Sequence, residues 1–330
     1  MSKIKYFLKR TVITAFLILL VASALFVFFR SMPGSFIDLI ANTGATEEEL
    51  AALRAKWGLD EPLYIQYLNY MINLLQADMG TSFRFGGPVW ELTKGRIWNS
   101  FILVGPAITT AYIIGSIYGA LLGSNRDSKF EKYGIIPVTV TGTVPSFFLA
   151  ILMVIVFASW LNWFPTSGML STGVSTQVGN NFIAMASTGD FWLHYILPFS
   201  TIVLRYLYLP SLVMRTSVVE VSGQDFAYYH RVKGLAKSTQ LHHVMKHASL
   251  PVITLFPVSM TRAIGGLVLV ELVFNWPGVG SFLVDAVLFR DFPVVQFVFF
   301  LVAIWVILGN YLVDIVYGII DPRVSVGGDD

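Results

Sequence analysis

Six long apolar runs dominate this chain and limit what it can fold into. They lie at residues 11–29, 99–123, 134–160, 193–214, 252–275 and 294–318. A helix of about 20 mostly apolar residues crosses the hydrocarbon core of a bilayer, which is about 30 Å thick. Because lipid offers no hydrogen bonds to the backbone, a spanning segment must be a helix or part of a closed barrel. The sequence therefore predicts an all-α polytopic membrane protein with six transmembrane helices.

The composition agrees with a chain surrounded by lipid. Charged residues make up 13% of the sequence and hydrophobic residues 55%, whereas soluble domains carry roughly 25% charged residues. The chain has no cysteine, which excludes disulfides, thiolate metal sites and thiol nucleophiles. Its net charge of +2 is small and its basic residues are spread over short segments, so we expect no nucleic-acid partner.

The first apolar run resembles a secretory signal peptide but is longer than one. Lys3, Lys5, Lys9 and Arg10 precede it, and Ala22-Ser23-Ala24 is similar to a cleavage site. The apolar residues nevertheless continue to Phe29, beyond a typical signal core. We therefore expect residues 1–10 to form an N-terminal segment and residues 11–29 an uncleaved first span.

Basic residues in the short loops predict the orientation. If the N-terminus is cytoplasmic, the inside segments hold Lys3, Lys5, Lys9, Arg10, Arg126, Lys129, Lys132, Arg215, Arg231, Lys233, Lys237, Lys246 and Arg323. The outside loop 161–192 then holds no Lys or Arg, and the loop 276–293 holds only Arg290. Cytoplasmic loops carry the excess of Lys and Arg, so both termini, including the tail 321–330, are predicted to be cytoplasmic.

The segment after the first span, residues 30–97, is predicted to be a folded extracytoplasmic loop. Thr46 followed by acidic residues indicates the start of a helix, and Gly58 indicates its end. Pro62 then begins a second amphipathic helix. The remaining spans and their loops, residues 98–320, are expected to form one membrane core.

A basic segment, residues 216–251, lies between the fourth and fifth spans. Its pattern predicts two short helices joined by an elbow at Gly234, where glycine permits a positive φ angle. Around the segment "KGLAKST", Arg231 and Ala236 stand where a phosphate-binding loop needs its two glycines, and no strand precedes it, so nucleotide binding is not expected. His243 and His247 have the spacing of zinc ligands, but no third ligand is evident. A solvated loop that only fixes topology is the simpler alternative.

At this point a family resemblance becomes specific. "DFAYYHRVKGL" and "HHVMKHASLPVIT" in the basic segment resemble the cytoplasmic coupling loop of ATP-binding cassette importer permeases, in the oligopeptide and dipeptide branch. The other similar segments, in chain order, are "RSMPG", "LRAKWGLDEPLYIQYLNYM", "ADMGTSFRFGGPV", "VPSFFLAILM", "WFPTSG", "ELVFNWPGVGSFLVDAVLFRDFPVVQ" and "NYLVDIVYGIIDPRV". Together they extend over nearly the whole chain. The resemblance implies the type I importer permease fold.

The same resemblance implies the partners. A second permease subunit would complete the pore, two cytoplasmic ATPase subunits would use ATP and magnesium, and an external binding protein or lipoprotein would deliver the solute. The folded loop after span one is similar to that of the first permease of the pair. This chain would bind no cofactor and catalyse no reaction. Related permeases carry peptides, nickel, glutathione or oligosaccharides, so the solute stays open among these.

Motif matching also assigns residues to the predicted contact with an ATPase. They are Asp225, Arg231, Lys233, Gly234 and Leu235, with Pro251 at the start of span five. The chain departs from the family pattern at Tyr228-Tyr229-His230, where permeases of this type carry smaller or differently charged residues. These bulky side chains bear on the detailed contacts of the segment rather than on its role.

Polar and small residues within the spans are further candidates, because charge inside a membrane is costly and usually functional. The translocation-path candidates are Ser146, Phe147, Arg262 and Glu271, and Arg205 is a further charged residue within a span. The helix-packing candidates are Gly115, Gly119, Gly123, Asn310 and Asp314. Glu271 is as well suited to capping a turn as to gating. Pro145 is expected to kink span three.

A self-sufficient secondary transporter or channel is the alternative function. It would use the intramembrane Arg and Asp residues as ion-coupled sites. However, the sequence shows no inverted repeat, and a coupling loop has no place in that scheme. An intramembrane enzyme lacks support, because there is no H-E-x-x-H motif and His194 belongs to no nucleophile motif.

Overall fold

The computed structural model describes residues 3–32, 46–56, 58–179 and 181–320. The predicted tail 321–330 and residues 33–45 of the predicted outer loop lie outside these ranges. Within them the chain is mostly helical and has no β-strand, only an isolated antiparallel bridge between Thr81 and Pro88. The described residues therefore confirm the all-α class.

The helices are numbered here in chain order. They are α1 (Lys3–Ser31), α2 (Glu47–Lys56), α3 (Leu63–Leu75), α4 (Val89–Ser124), α5 (Lys129–Thr143), α6 (Ser146–Met153) followed by a π-helix (Val154–Trp160), α7 (Thr172–Val178), α8 (Phe182–Ala186), α9 (Gly189–Tyr206), α10 (Tyr208–Val221), α11 (Asp225–Val232), α12 (Lys237–Ala248), α13 (Leu250–Val273), α14 (Val279–Leu288) and α15 (Phe292–Ile320). The chain divides into two compact units, one of Met1–Trp98 with Ser281–Asp330 and the other of Asn99–Gly280.

Between four and six segments are long and apolar enough to cross a membrane. Four are single stretches: Phe7–Ser31, Val89–Ser124, Gly189–Val221 and Phe292–Leu312. Two further candidates are bent pairs, Lys129–Thr143 with Ser146–Trp160 at 107° and Leu250–Ala263 with Gly265–Val273 at 54°. By length and composition the described part of the chain is that of a multi-pass membrane protein.

The sharpest bend follows from Pro145. Val144, the residue before this proline, is extended with φ −69° and ψ 133°, and Pro145 itself has ψ 141°. Proline disfavours the helical conformation in the preceding residue and offers no N–H to continue a helix. Helix α5 therefore ends at Thr143, and α6 begins in a new direction at Ser146.

In the first unit, α1 packs along α15 and α3 packs on α1. The ring centroid of Phe29 lies 5.8 Å from that of Phe292 and 6.3 Å from that of Phe299. The hydroxyl groups of Ser23 and Tyr67 are 2.7 Å apart and join α1 to α3. Helix α3 is thus attached to the C-terminal half of α1.

Local signals fix the helices of the predicted outer loop. The Glu49 N–H donates to Thr46 Oγ1 at 3.3 Å, and the Thr46 N–H donates to Glu49 Oε2 at 2.9 Å. This reciprocal pair is a capping box at the start of α2. Gly58 has a φ of +62°, and Pro62 immediately precedes α3. The predicted helix starts and stops in this region are therefore confirmed.

In the second unit, the glycine stripe of α4 lies against the α9–α10 region. A Cβ atom added at Gly115 would come within 2.8 Å of Leu207 O, and one at Gly123 within 2.7 Å of Arg215 O. A Cβ at Gly119 would clash with the backbone of Ser211. Glycine permits this close approach of two helices, as is common in membrane proteins.

A buried ion pair links α5 to α10 in the same unit. The Arg215 Nε–H donates to Glu131 Oε1 at 2.7 Å, and the Asp127 N–H donates to Glu131 Oε2 at 2.7 Å. Ser128 caps α5 by accepting from the Glu131 N–H at 3.1 Å. The carboxylate is therefore satisfied on both oxygens although Glu131 is only 7% exposed.

Candidate functional site

Helices α11 and α12 pack together and form a short hairpin, here called the basic hairpin (residues 225–248). Gly234 lies at its elbow with a φ of +69°, a conformation that L side chains rarely adopt. The Gly234 N–H donates to Arg231 O at 3.0 Å and the Leu235 N–H to His230 O at 3.2 Å. The Gln240 side chain donates to Leu235 O at 2.6 Å and ties the elbow to α12.

Aromatic rings of Phe and His pack between the two helices of the basic hairpin. The ring centroid of Phe226 lies 5.6 Å from that of His230 and 4.7 Å from that of His247. The ring centroid of His230 also lies 4.9 Å from that of His243. These histidines therefore contact one another and Phe226 across the two helices. Among the described residues, no group of three or more His, Cys, Asp or Glu side chains could hold a metal ion.

The outer surface of the basic hairpin combines apolar and charged groups. Tyr228, Tyr229 and Val232 are 61%, 63% and 67% exposed. The predicted ATPase-contact residues Asp225, Arg231, Lys233 and Gly234 are exposed, whereas Leu235 is half-buried. All five lie in this one hairpin. Exposed aromatic side chains beside charge are typical of a protein-binding surface.

A cavity of about 740 Å³ adjoins the basic hairpin and the end of α4. Its charged lining consists of Arg126, Arg231 and Lys237, with His230 and several hydroxyl groups, and it contains no carboxylate. Three cations without an acidic lining residue make this face of the unit suited to an acidic partner.

The path candidates lie on two helices of the second unit, α6 and α13. Ser146, the first residue of α6, has its hydroxyl 3.5 Å from Gly266 O on α13. Phe147 is 41% exposed, and Arg262 on α13 is also exposed. The structure therefore brings Ser146 close to the segment of α13 that follows Arg262.

Glu271 has a different environment at the end of α13. It is fully buried, and its Oε1 accepts from the Ser100 hydroxyl at 2.5 Å. Ser100 Oγ in turn accepts from the Val279 N–H at 2.9 Å. A Cβ atom at Gly280 would lie 2.9 Å from Glu271 Oε2, so the turn packs directly on the carboxylate. Glu271 lies nine residues after Arg262, or roughly 14 Å along a helix.

The candidates at the end of the last helix belong to the first unit. Asp314 Oδ2 lies 3.1 Å from Arg10 Nη1, and the hydroxyl groups of Thr11 and Tyr311 are 2.8 Å apart. Asn310 is exposed. Asp314 therefore joins α15 to α1.

One polar cluster was missed by the sequence analysis. Asp291, which is fully buried before α15, accepts from the Ser82 hydroxyl at 2.5 Å and from the N–H groups of Phe83 and Arg84 at 3.1 and 3.2 Å. Two quoted family segments, "ADMGTSFRFGGPV" and "LFRDFPVVQ", are thereby joined. An aspartate directly before a helix was the only local signal.

The predicted outer loop, residues 30–97, also contains two arginines that lie over aromatic rings. The guanidinium carbon of Arg84 lies 4.4 Å from the ring centroid of Phe289, and that of Arg96 lies 4.2 Å from the ring centroid of Phe282. These cation–π contacts attach Arg84 and Arg96 to the segment 282–289 that precedes Asp291.

Comparison with known proteins agrees with the geometry. Residues 3–94 match the family model "Binding-prot-dependent transport system membrane comp, N-term", and residues 111–326 match "Binding-protein-dependent transport system inner membrane component". The chain is 31% identical over 323 residues to the oligopeptide transport system permease protein AppB of Bacillus subtilis, covering 97% of this chain and 99% of that relative.

Two further relatives cover similar lengths. A putative peptide permease protein of Brucella ovis is 33% identical over 328 residues, covering 98% of this chain and 99% of the relative. The glutathione transport system permease protein GsiC of Salmonella choleraesuis is 32% identical over 323 residues, covering 97% and 99%. This chain therefore belongs to the family of binding-protein-dependent transport system inner membrane components.

Proposed function

We propose that this chain is the transmembrane permease subunit of an ATP-driven importer for peptides or similar small solutes and forms half of the translocation pathway. The observation that carries this proposal is the match to permeases along nearly the whole chain, together with an exposed hairpin at the predicted coupling segment. The match favours an importer permease over a self-sufficient secondary transporter or channel. The partners are a second permease subunit, two ATPase subunits and an extracytoplasmic binding protein.

The proposed topology has six spans, with both termini cytoplasmic. In this arrangement each bent helix pair counts as one span, and residues 30–97 form the extracytoplasmic loop subdomain. The capping box at Thr46 and the buried Asp291 cluster support a folded loop, because the first fixes the start of a helix within it and the second joins Ser82 to the residue before α15. The membrane core is residues 98–320, and the basic hairpin lies at the cytoplasmic face.

In this proposal the basic hairpin transmits ATPase movements to the spans. Asp225, Arg231, Lys233, Gly234 and Leu235 would contact an ATPase subunit, which would bind ATP and magnesium itself. Closure of two ATPase subunits would push the paired hairpins together, and rigid helices would carry the shift into the membrane. The packing of α12 on α10 and α13 provides a direct mechanical link.

The residues within the spans divide by role. Ser146, Phe147, Arg262 and Glu271 are proposed for the translocation path, with Glu271 acting through the turn that it supports. Gly115, Gly119 and Gly123 are proposed to pack α4 on α10. Asp314 and Asn310 are proposed to stabilise the last helix.

Reconstitution in proteoliposomes tests the function. Uptake of a labelled tripeptide should require ATP, both permeases, the ATPase subunits and the binding protein together. Gly234→Asp should leave the protein in the membrane and abolish uptake, because a side chain would project from the elbow into the ATPase contact. Uptake by this chain alone, without nucleotide, would contradict the proposal.

A further inference from the structure

Two arginines lie within the spans of the second unit without a carboxylate partner. Arg205 is in the last turn of α9, and Arg262 is near the middle of α13. Among the described residues, neither forms an ion pair with Asp or Glu. A charged side chain at membrane depth is costly unless an ion, a partner or water compensates it. An anionic group that compensates these two charges would therefore come from outside this part of the chain.

Two tyrosine hydroxyls flank Arg262. Ser259 lies three residues before Arg262, one helical turn away, and Gly266 lies four residues after it, beyond the 54° bend that follows Ala263. The Tyr112 hydroxyl lies 2.5 Å from Ser259 Oγ. The Tyr206 hydroxyl lies 3.3 Å from the position that a Cβ at Gly266 would take. The two phenol groups thus approach α13 on either side of Arg262 along the chain, Tyr112 before it and Tyr206 after it.

Arg205 joins the same cluster from α9. Its guanidinium carbon lies 5.8 Å from the ring centroid of Tyr206. Arg205, Tyr206 and Gly266 line a small cavity together with Ser146, the first residue after the bend. We call Arg205, Tyr206, Arg262 and Tyr112 the arginine–tyrosine cluster. It combines two fixed positive charges with two hydroxyl groups.

The cluster is open to a ligand. Arg262 is exposed, and beyond the bend the exposed residues Gly265, Leu269 and Leu272 share one face of α13. A Cβ atom at Gly265 would meet nothing within 4 Å. Arg262 therefore lies on an uncovered face, where a group from outside this chain can reach its guanidinium.

We propose that Arg262 and Arg205 bind the carboxylate of the solute during passage. Guanidinium groups bind carboxylates through paired, charge-assisted hydrogen bonds, and the tyrosine hydroxyls can donate further bonds to the same oxygens. This inference rests on the proposed function and names its substrate class: solutes with a free carboxylate, such as peptides with an unblocked C-terminus. Metal cations and neutral oligosaccharides lack the group that the cluster binds.

The test uses the complete importer in proteoliposomes with two probes, trialanine and trialanine amide. The two differ only in the C-terminal charge. For each probe, uptake by a variant is divided by uptake by the unaltered importer, so the preference of the shared binding protein cancels. Arg262→Gln should reduce trialanine uptake at least about tenfold more than trialanine amide uptake, because a charged hydrogen bond is lost. Arg205→Gln should act in the same direction.

Two further variants make the result specific. Arg262→Lys keeps the positive charge and should retain most of the preference for the free acid. Arg290→Gln removes an exposed arginine outside the cluster and should change the uptake of both probes by the same factor. Equal fractional losses of trialanine and trialanine amide uptake in Arg262→Gln would overturn the inference. This is the result expected if Arg262 paired with a carboxylate of another subunit. Uptake of both probes at the unaltered level would overturn it as well. Absence of ATP-driven uptake of either probe by the unaltered importer would instead refute the proposed function and this inference with it.

Discussion

The buried carboxylate of Asp291 gives the most quantitative prediction. It accepts three hydrogen bonds, from the Ser82 hydroxyl at 2.5 Å and from two backbone N–H groups of residues 83 and 84 at 3.1 and 3.2 Å. Each buried donor that loses its acceptor costs about 1–3 kcal/mol. The Arg84 residue is exposed, so water can replace part of the loss. We therefore expect Asp291→Ala to lower the free energy of unfolding by about 3–5 kcal/mol.

Asp291→Asn should lower the free energy of unfolding by less, about 1–2 kcal/mol, because the amide oxygen of asparagine still accepts a hydrogen bond from the backbone. In a double-mutant cycle, Ser82→Ala and Asp291→Ala should couple by about 1.5–3 kcal/mol, since they remove the same charged hydrogen bond. Asp285→Ala provides the matched control, because Asp285 is exposed on α14 and should change stability by less than about 0.5 kcal/mol.

The assay is denaturant unfolding of the detergent-purified chain, together with tryptic cleavage after Arg84. Cleavage of a locally opened segment follows the population of the open form. A loss of about 3 kcal/mol should therefore speed cleavage roughly a hundredfold. If Asp291→Ala unfolds at the same denaturant concentration as the unaltered chain and resists trypsin equally, the cluster does not hold this loop and the reasoning is wrong.

Three further predictions concern helix packing. Gly119→Val should lower the yield of folded protein in detergent, because the valine side chain would clash with α10. Gly95→Ala is the control and should leave the yield unchanged, because a Cβ atom there meets nothing within 4 Å. Equal yields of the two variants would contradict the packing of α4 on α10. Glu131→Ala should reduce the free energy of unfolding by about 2–4 kcal/mol by leaving a partly buried Arg215 without its carboxylate, and denaturant unfolding checks this. Asp314→Asn should cost less than about 1 kcal/mol in the same assay, since its ion pair is partly exposed.

Local signals in the sequence were sufficient for most helices. The apolar runs predict the long helices because a bilayer requires about 20 apolar residues. The capping residues Thr46 and Pro62 locate α2 and α3 because their chemistry acts within one helical turn. Pro145 locates the break in the third apolar run, but not its angle of 107°. That angle depends on how α6 packs against α9 and α13, which no local pattern specifies.

The candidate site was only partly predictable for a related reason. The break in the helical pattern at Gly234 identified the elbow, and glycine permits the positive φ that the structure shows there. The contact between Ser82 and Asp291 joins residues more than 200 positions apart, and no periodicity relates them. The cluster of Arg205 and Arg262 likewise forms only when α9 and α13 pack together.

Thiol labelling tests the central claim most directly, because the natural chain has no cysteine. Lys233→Cys places a single thiol beside the exposed elbow of the basic hairpin. Leu288→Cys places a single thiol on α14, at a residue that is 72% exposed and proposed to face outward. A membrane-impermeant maleimide added to intact cells should label Leu288→Cys and leave Lys233→Cys unmodified.

In inside-out vesicles the pattern should reverse, and bound ATPase subunits should protect Lys233→Cys from the reagent. A thiol crosslinker should then join Lys233→Cys to a cysteine placed in the groove of an ATPase subunit. Labelling of Lys233→Cys from outside intact cells, or equal labelling with and without the ATPase subunits, would contradict the proposal that this hairpin couples the permease to ATP hydrolysis.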